Sequence, residues 1–87
     1  MLKHNPTSDE LASAFGQRVR ELRTQRSELS QERLADIVGV HRSFIGRVER
    51  GETNVTLANL YRICTGLDVT LAEFFYDFEN LILPKNK

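Results

Sequence analysis

The chain has 87 residues, 40% of them hydrophobic, which is enough for one domain with a small core. Its 12 basic side chains balance 12 acidic ones, and this zero net charge argues against a protein that coats nucleic acid without selectivity. A single cysteine excludes an intramolecular disulfide, and the sequence shows no metal-ligand spacing, secretion signal or apolar run of transmembrane length. We therefore expect a cytoplasmic protein that needs no metal or cofactor.

The first predicted helix covers residues 8–26. Pro6 precedes it, and Thr7 with Glu10 three positions later has the pattern of a capping box. Four apolar residues then recur at the spacing of one helix face, namely Leu11, Phe15, Val19 and Leu22. The pattern predicts an amphipathic helix that packs on the rest of the domain.

Two short helices that meet at a tight turn are predicted next, over residues 31–38 and 42–50. Ser30 caps the first helix, Gly39 ends it in a left-handed conformation, and Gly51 ends the second. The residues predicted to face inward are Leu34, Ile37, Val38, Ile45 and Val48, with the small Ala35 at the crossing and Val40 at the corner.

The second helix of this pair keeps a polar, partly cationic face that the small core does not use. It consists of His41, Arg42, Ser43, Phe44, Gly46, Arg47 and Arg50. A helix held outward by a preceding helix and a tight turn is the layout of a helix-turn-helix, whose second helix enters the DNA major groove. Arginine suits that role because its guanidinium group can bond O6 and N7 of guanine together.

Two more helices complete the pattern. Thr56 caps a fourth helix, whose inward residues are predicted to be Leu57, Leu60, Tyr61, Cys64 and Leu67. Thr70 and Glu73 form a second capping box, and the fifth helix is predicted to run to about Ile82, before Pro84. No segment alternates with period two for long enough to be a strand, so the sequence predicts an all-α fold.

The fifth helix carries more apolar residues than one face can bury. Four of the seven aromatic residues of the chain lie between Phe74 and Phe78, and three aliphatic residues follow. We expect residues 70–87 to contribute to a homodimer, in which a second copy covers the exposed part of this surface. The predicted interface residues are Phe75, Tyr76, Phe78, Leu81, Ile82 and Leu83.

Residues 29–75 resemble the Cro/lambda-repressor (Xre-type) helix-turn-helix family. The resemblance rests on Ser30-Gln31 at the start of the second helix, on Glu49-Arg50-Gly51 at the end of the third, and on the spacing to Leu57, Leu60 and Leu67. It implies a five-helix, lambda-repressor-like domain over residues 1–87. It also implies a sequence-specific transcriptional regulator that binds double-stranded DNA as a homodimer on a pseudo-palindromic operator.

The resemblance further implies which residues touch DNA. Those that contact base edges are Arg42, Ser43, Gly46 and Arg47. Those that contact the phosphate backbone are Arg23, Gln31, His41, Phe44, Arg50, Thr53, Asn54 and Thr56. Some have alternative roles. Phe44 either contacts a thymine methyl group or a sugar or packs as a lid over the second helix, and His41 is a weak cap where the family usually has Ser or Thr.

The same resemblance implies an ion pair between Arg23 in the first helix and Glu49 at the end of the third, which would fix the arginine beside a phosphate. The loop of residues 26–29 is one residue longer than is common in the family. Arg20 and Arg26 therefore remain alternatives for the basic partner.

Glu32 and Asp36 lie four positions apart on the exposed side of the second helix, where they either contact RNA polymerase or are simply solvated. By size and by the ending of its fifth helix, the chain is most similar to the controller proteins of restriction-modification systems, which suggests an autoregulated switch. Phage repressors and antitoxin-like regulators are the alternatives within the family. A protein-interaction module without DNA is the rival class, and no catalytic constellation indicates an enzyme.

Overall fold

The computed structural model describes residues 5–82, which form α-helices and one 3-10 helix without any strand. The helices are α1 (Ser8–Thr24), α2 (Gln31–Val38), α3 (Arg42–Glu49), α4 (Leu57–Gly66) and α5 (Leu71–Phe75), followed by the 3-10 helix Phe78–Leu81. The all-α prediction is confirmed. Leu83, which belongs to the predicted dimer surface, lies outside the described residues.

The helix starts follow the capping signals in the sequence. The hydroxyl groups of Thr7, Ser30, Thr56 and Thr70 each accept a hydrogen bond from the backbone N–H three residues later. The first and last of these are complete capping boxes, with Glu10 and Glu73 bonded back to the cap residue. A cap of this kind contributes about 1 kcal/mol, which is substantial for helices as short as these.

The corner between α2 and α3 has the predicted geometry. Gly39 adopts φ 84°, and its N–H and that of Val40 both bond the carbonyl of Ala35, at 2.8 and 3.0 Å. On the other side of α3, a Cβ on Gly16 of α1 would lie 2.0 Å from the carbonyl oxygen of Val48. Only glycine at this position lets the α1 backbone approach α3 so closely.

The core lies between α1, α2, α3 and α4, and Phe74 of α5 and Phe78 of the 3-10 helix extend it. Its largest fully buried side chains are Phe74, Leu34, Ile45, Ile63, Val19, Val48 and Cys64. Four residues predicted to face inward are instead substantially exposed: Leu11, Ile37, Leu57 and Tyr61.

The error in α4 has a geometric cause. The helix packs on α2 through a stripe that includes Ile63, which the predicted inward set omitted and which is fully buried. At 100° per residue Tyr61 lies on the far side of that stripe and Leu57 at its margin. Tyr61 is 62% exposed, and Leu57, which is also the first residue of the helix, is 81% exposed.

The prediction of a continuous fifth helix is wrong. Helix α5 ends at Phe75, and Asp77 adopts φ 60°, a left-handed conformation that interrupts the helix before the 3-10 turn. The guanidinium group of Arg18 donates hydrogen bonds to the carbonyls of Phe74 and Tyr76, which a continuous helix would use for its own bonds. The break turns Phe78 back onto the core, with ring centroids 6.5 Å from Phe74 and 5.0 Å from Phe75.

Candidate nucleic-acid interface

Helix α3 has two sides with different chemistry. Ile45, Val48 and Glu49 are buried against α1 and α2. Arg42, Ser43 and Arg47 are exposed, and no carboxylate in residues 5–82 forms an ion pair with either arginine. The helix therefore presents two guanidinium groups and one hydroxyl outward from a fixed inner side.

Phe44 links the exposed face to the core. Its side chain is partly buried and packs on the edge of the core, as in the lid alternative, and its ring lies 5.9 Å from the guanidinium carbon of Arg47. A cation over an aromatic face at this distance is attracted by about 0.5–1 kcal/mol at an exposed site. Phe44 thus limits where the Arg47 side chain can extend.

Gly46 is buried rather than open. A Cβ at this position would lie 3.1 Å from Nη1 of Arg50 and 3.9 Å from Oε1 of Gln31. The absence of a side chain therefore leaves room for these two polar side chains above the middle of α3. This arrangement accounts for a residue that is unfavourable in a helix without reference to a ligand, and base contact by Gly46 stays a prediction.

A buried hydrogen-bond network ties three helices together at Glu49, whose side chain is 1% exposed. Arg23 of α1 donates from Nε to Oε2 at 2.6 Å and from Nη2 to Oε1 at 3.2 Å. Gln31 of α2 donates from Nε2 to Oε1 at 3.0 Å, and Arg23 also donates to the carbonyl of Leu29 at 3.1 Å. The predicted pair of Arg23 with Glu49 is confirmed.

The alternative partners of Glu49 lie elsewhere. Arg26 donates to the carbonyl of Leu67 at 3.1 Å and approaches Glu28, whereas Arg20 is exposed. The longer loop between α1 and α2 therefore does not shift the register of α1 against α3.

His41 is the cap of α3. Its Nδ1 accepts a hydrogen bond from the backbone N–H of Ser43 at 3.1 Å and lies 2.8 Å from the Ser43 hydroxyl oxygen. The capping role considered for this residue is therefore confirmed. The imidazole is otherwise exposed, and its contact with a phosphate stays a prediction.

The remaining predicted phosphate ligands surround the end of α3 and the start of α4. Thr56 is the cap of α4 and accepts from Asn59, while Thr53 and Asn54 lie in the preceding loop. Arg50 bonds Glu52 at 3.0 Å, which the sequence interpretation missed. This hydrogen bond raises the pKa of Arg50 and lowers the pKa of Glu52, so the charge of Arg50 is partly offset by its neighbour.

Glu32 and Asp36, the acidic pair of α2, are exposed, and no cation in the described part of the chain pairs with them.

The predicted dimer residues differ in exposure. Tyr76 is 78% exposed, whereas Phe78 is 8% exposed and belongs to the core. The other described members of the predicted interface are half-buried, namely Phe75, Leu81 and Ile82.

The sequence analysis did not predict an apolar surface beside the C-terminal segment, residues 71–82. A groove of about 200 Å³ opens between α1, the loop before α4 and the C-terminal segment, and its apolar walls include Leu11, Phe15 and Leu60. The strongly exposed Leu57 and Tyr61 extend from α4. Their exposure became visible only once the packing of α4 on α2 was known.

Comparison with known proteins gives a consistent result. The helix-turn-helix family model matches residues 19–74. The control protein C.MunI of a Mycoplasma species is 40% identical over 65 residues, which cover 75% of this chain and 88% of that protein. No helix within residues 5–82 has the length and apolar character needed to cross a membrane.

Solved structures agree with this assignment. The restriction-modification controller protein C.AhdI of Aeromonas hydrophila is 50% identical with a TM-score of 0.68, covering 74% of this chain and 96% of that one. The controller protein C.Esp1396I, solved as a tetramer with its natural 35-base-pair operator, is 30% identical with a TM-score of 0.75, covering 85% and 96%. These relatives are regulators rather than enzymes. The chain belongs to the helix-turn-helix family of Cro and lambda-repressor type, together with the control proteins of restriction-modification systems.

Proposed function

We propose that this protein is a transcriptional regulator that binds a pseudo-palindromic DNA operator as a homodimer. Its two copies of α3 would enter successive major grooves roughly 34 Å apart. The observation that carries the proposal is the outward face of α3, where neither Arg42 nor Arg47 forms an ion pair within the described residues. A short helix whose two arginines form no ion pair within the protein suits a surface that binds an anionic partner.

The surroundings of each side chain indicate whether it would contact a base or a phosphate. Arg42 and Arg47 bond guanine edges, and Ser43 bonds a neighbouring base. Arg23 has two N–H groups beyond the three that bond Glu49 and Leu29, and these can donate to a phosphate. The proposed phosphate ligands with it are Gln31, His41, Arg50, Thr53, Asn54 and Thr56.

The dimer is proposed to form through the C-terminal half of the domain, which we take to span residues 1–87. Tyr76 supplies an exposed aromatic ring, and Leu57 and Tyr61 of α4 add apolar area that the sequence interpretation had placed inside. A twofold contact that buries this surface in both copies also sets the distance between the two recognition helices.

The controller proteins of restriction-modification systems supply the functional analogy. We propose an autoregulatory role in the cytoplasm, without catalytic activity, and Glu32 with Asp36 as a surface available to RNA polymerase. This assignment is supported by the identity to C.MunI and C.AhdI over most of their length.

Selection of binding sites from a random DNA pool tests the proposal. We expect a palindromic consensus for the native protein and its loss in the Arg42→Ala and Arg47→Ala variants. Arg20→Ala is the matched control, because Arg20 is also exposed but lies on α1. Failure to enrich any sequence, with a folded native protein, would overturn the proposal.

A protein-interaction module is the second candidate, favoured by the exposure of Leu57, Tyr61 and Tyr76. In that case Arg42 and Arg47 would be dispensable for function, and substitutions on the apolar surface would abolish it.

A further inference from the structure

The cap of the recognition helix contains a feature that the proposed function does not use. Nδ1 of His41 contacts two groups of the same residue, the backbone N–H of Ser43 at 3.1 Å and its hydroxyl oxygen at 2.8 Å. Ser43 is also one of the three exposed polar residues on the outward face of α3. The cap residue and a candidate base-reading residue are therefore joined directly.

The backbone contact selects one form of the imidazole. A backbone N–H can only donate, so Nδ1 must carry a free lone pair, and the proton of the neutral ring must lie on Nε2. Nε2 is then a donor, which is compatible with a phosphate contact by the same ring. Capping and phosphate binding by His41 are thus not alternatives.

The protonation state of this ring decides the hydrogen-bonding polarity of the Ser43 hydroxyl. While Nδ1 is unprotonated, the hydroxyl can approach it at 2.8 Å only by donating its hydrogen, which leaves the oxygen lone pairs for another partner. When Nδ1 gains a proton, it can no longer accept from the backbone N–H of Ser43, so the cap bond is lost and the ring can only donate to the hydroxyl oxygen. The hydroxyl hydrogen is then released to donate elsewhere.

We propose that His41 is a specificity-determining positioning residue, which sets through Ser43 whether the recognition helix accepts or donates a hydrogen bond at one base pair. The inference rests on the proposed DNA-binding function. With neutral His41, Ser43 favours a base with an amino group in the major groove, which is adenine N6 or cytosine N4. With protonated His41, it favours an acceptor, which is guanine O6 or N7 or thymine O4.

Histidine is the side chain that changes charge between about pH 5 and pH 8. The charged residues of the two helices that flank His41 are Glu32, Arg33, Asp36, Arg42, Arg47 and Glu49. Within residues 5–82 none of them is joined to the imidazole by a hydrogen bond or an ion pair. Ser43 is therefore the direct polar partner through which the ring acts.

The test uses DNA duplexes selected by the native protein itself from a random pool at about pH 8. Comparison with Ser43→Ala identifies the base pair whose preference depends on the hydroxyl. Four duplexes that differ only at this base pair are then titrated at about pH 5.5 and about pH 8. Relative affinities are compared, because a general change in phosphate attraction affects all four duplexes equally.

We expect the ratio of affinities for amino-bearing and acceptor bases to shift by roughly threefold to tenfold between the two pH values, as for one neutral hydrogen bond. His41→Asn is the matched variant, because its amide oxygen can accept from both groups of Ser43 but does not titrate. It should keep the preference seen at about pH 8 at both pH values.

Three results would overturn the inference. The first is an unchanged base preference in the native protein, and the second is an equal shift in His41→Asn. The third is a nitrogen NMR spectrum of the free protein that places the neutral ring's proton on Nδ1. If instead no duplex is selected at either pH, the proposed DNA-binding function itself fails. This outcome is distinct from failure of the His41 inference, in which duplexes are selected but the base preference does not depend on pH.

Discussion

Truncation of Glu49 tests whether the buried network is what holds α3 in place. In Glu49→Ala the guanidinium group of Arg23 loses both hydrogen bonds to the carboxylate, and the Gln31 side chain loses its hydrogen bond to α3. The Arg23 side chain is only 13% exposed, so water compensates poorly for the missing charge. Removing one partner of a buried ion pair costs about 3–5 kcal/mol.

This loss is large for a domain of this size, and it should lower Tm by more than about 10 °C. The measurement is chemical and thermal unfolding followed by far-ultraviolet circular dichroism, at one fixed protein concentration because the proposed dimerisation would contribute to apparent stability. Glu52→Ala is the control, since the pair of Glu52 with Arg50 is exposed and should leave Tm unchanged within error.

The double variant Arg23→Met with Glu49→Leu separates the two possible explanations. If the single variant is unstable because it leaves a buried charge unpaired, the apolar pair should recover most of the lost stability. It should nevertheless bind the selected operator less well than the native protein, because the proposed phosphate contact of Arg23 is gone. A fall of less than about 1 kcal/mol in Glu49→Ala would refute the reasoning, since the network would then contribute no more than a surface pair.

Three further outcomes are expected. Arg47→Ala should lower specific DNA affinity by at least about 1 kcal/mol and relax preference at one base pair per half-site, measured by competition binding; unchanged selectivity would contradict this assignment. Leu57→Glu with Tyr61→Glu should convert the proposed dimer to a monomer in analytical ultracentrifugation, whereas Arg62→Glu, on another exposed side of α4, should not; equal effects would argue against this interface. The thiol of Cys64 is 2% exposed and burial raises its pKa, so a thiol reagent at about pH 8 should react only after unfolding; rapid stoichiometric labelling of the native protein would show that this part of the core opens.

The parts of the fold that the sequence predicts well depend on neighbouring residues. The bounds of α2, its cap at Ser30 and the left-handed Gly39 all follow from signals within residues 30–40. The pair of Arg23 with Glu49 is different, since the two residues are 26 positions apart and were matched through the family resemblance. The longer loop does not change this pairing, because the close approach of Gly16 to Val48 fixes the position of α1 against α3.

The errors arise where distant residues compete with local preference. The aromatic segment has the periodicity of a helix, but Arg18, 56 residues before Phe74, takes the carbonyls that would continue it. The loss of helical hydrogen bonds is compensated by burial of Phe78 against two other rings. A pattern in the segment itself carries no information about such a partner, so the break was not predictable.

The outward face of α3 shows why an interface is harder to predict than a core. A core residue is identified by its apolarity, but an exposed polar residue can hold the helix, read a ligand, or do both. Gly46 leaves space for Gln31 and Arg50, and the guanidinium group of Arg47 lies over the ring of Phe44. His41 caps the helix through the same residue whose hydroxyl faces outward. The same side chains of α3 thus stabilise the helix and are proposed to contact DNA. A substitution there changes both the stability of the helix and its DNA binding, and only matched variants such as His41→Asn separate the two effects.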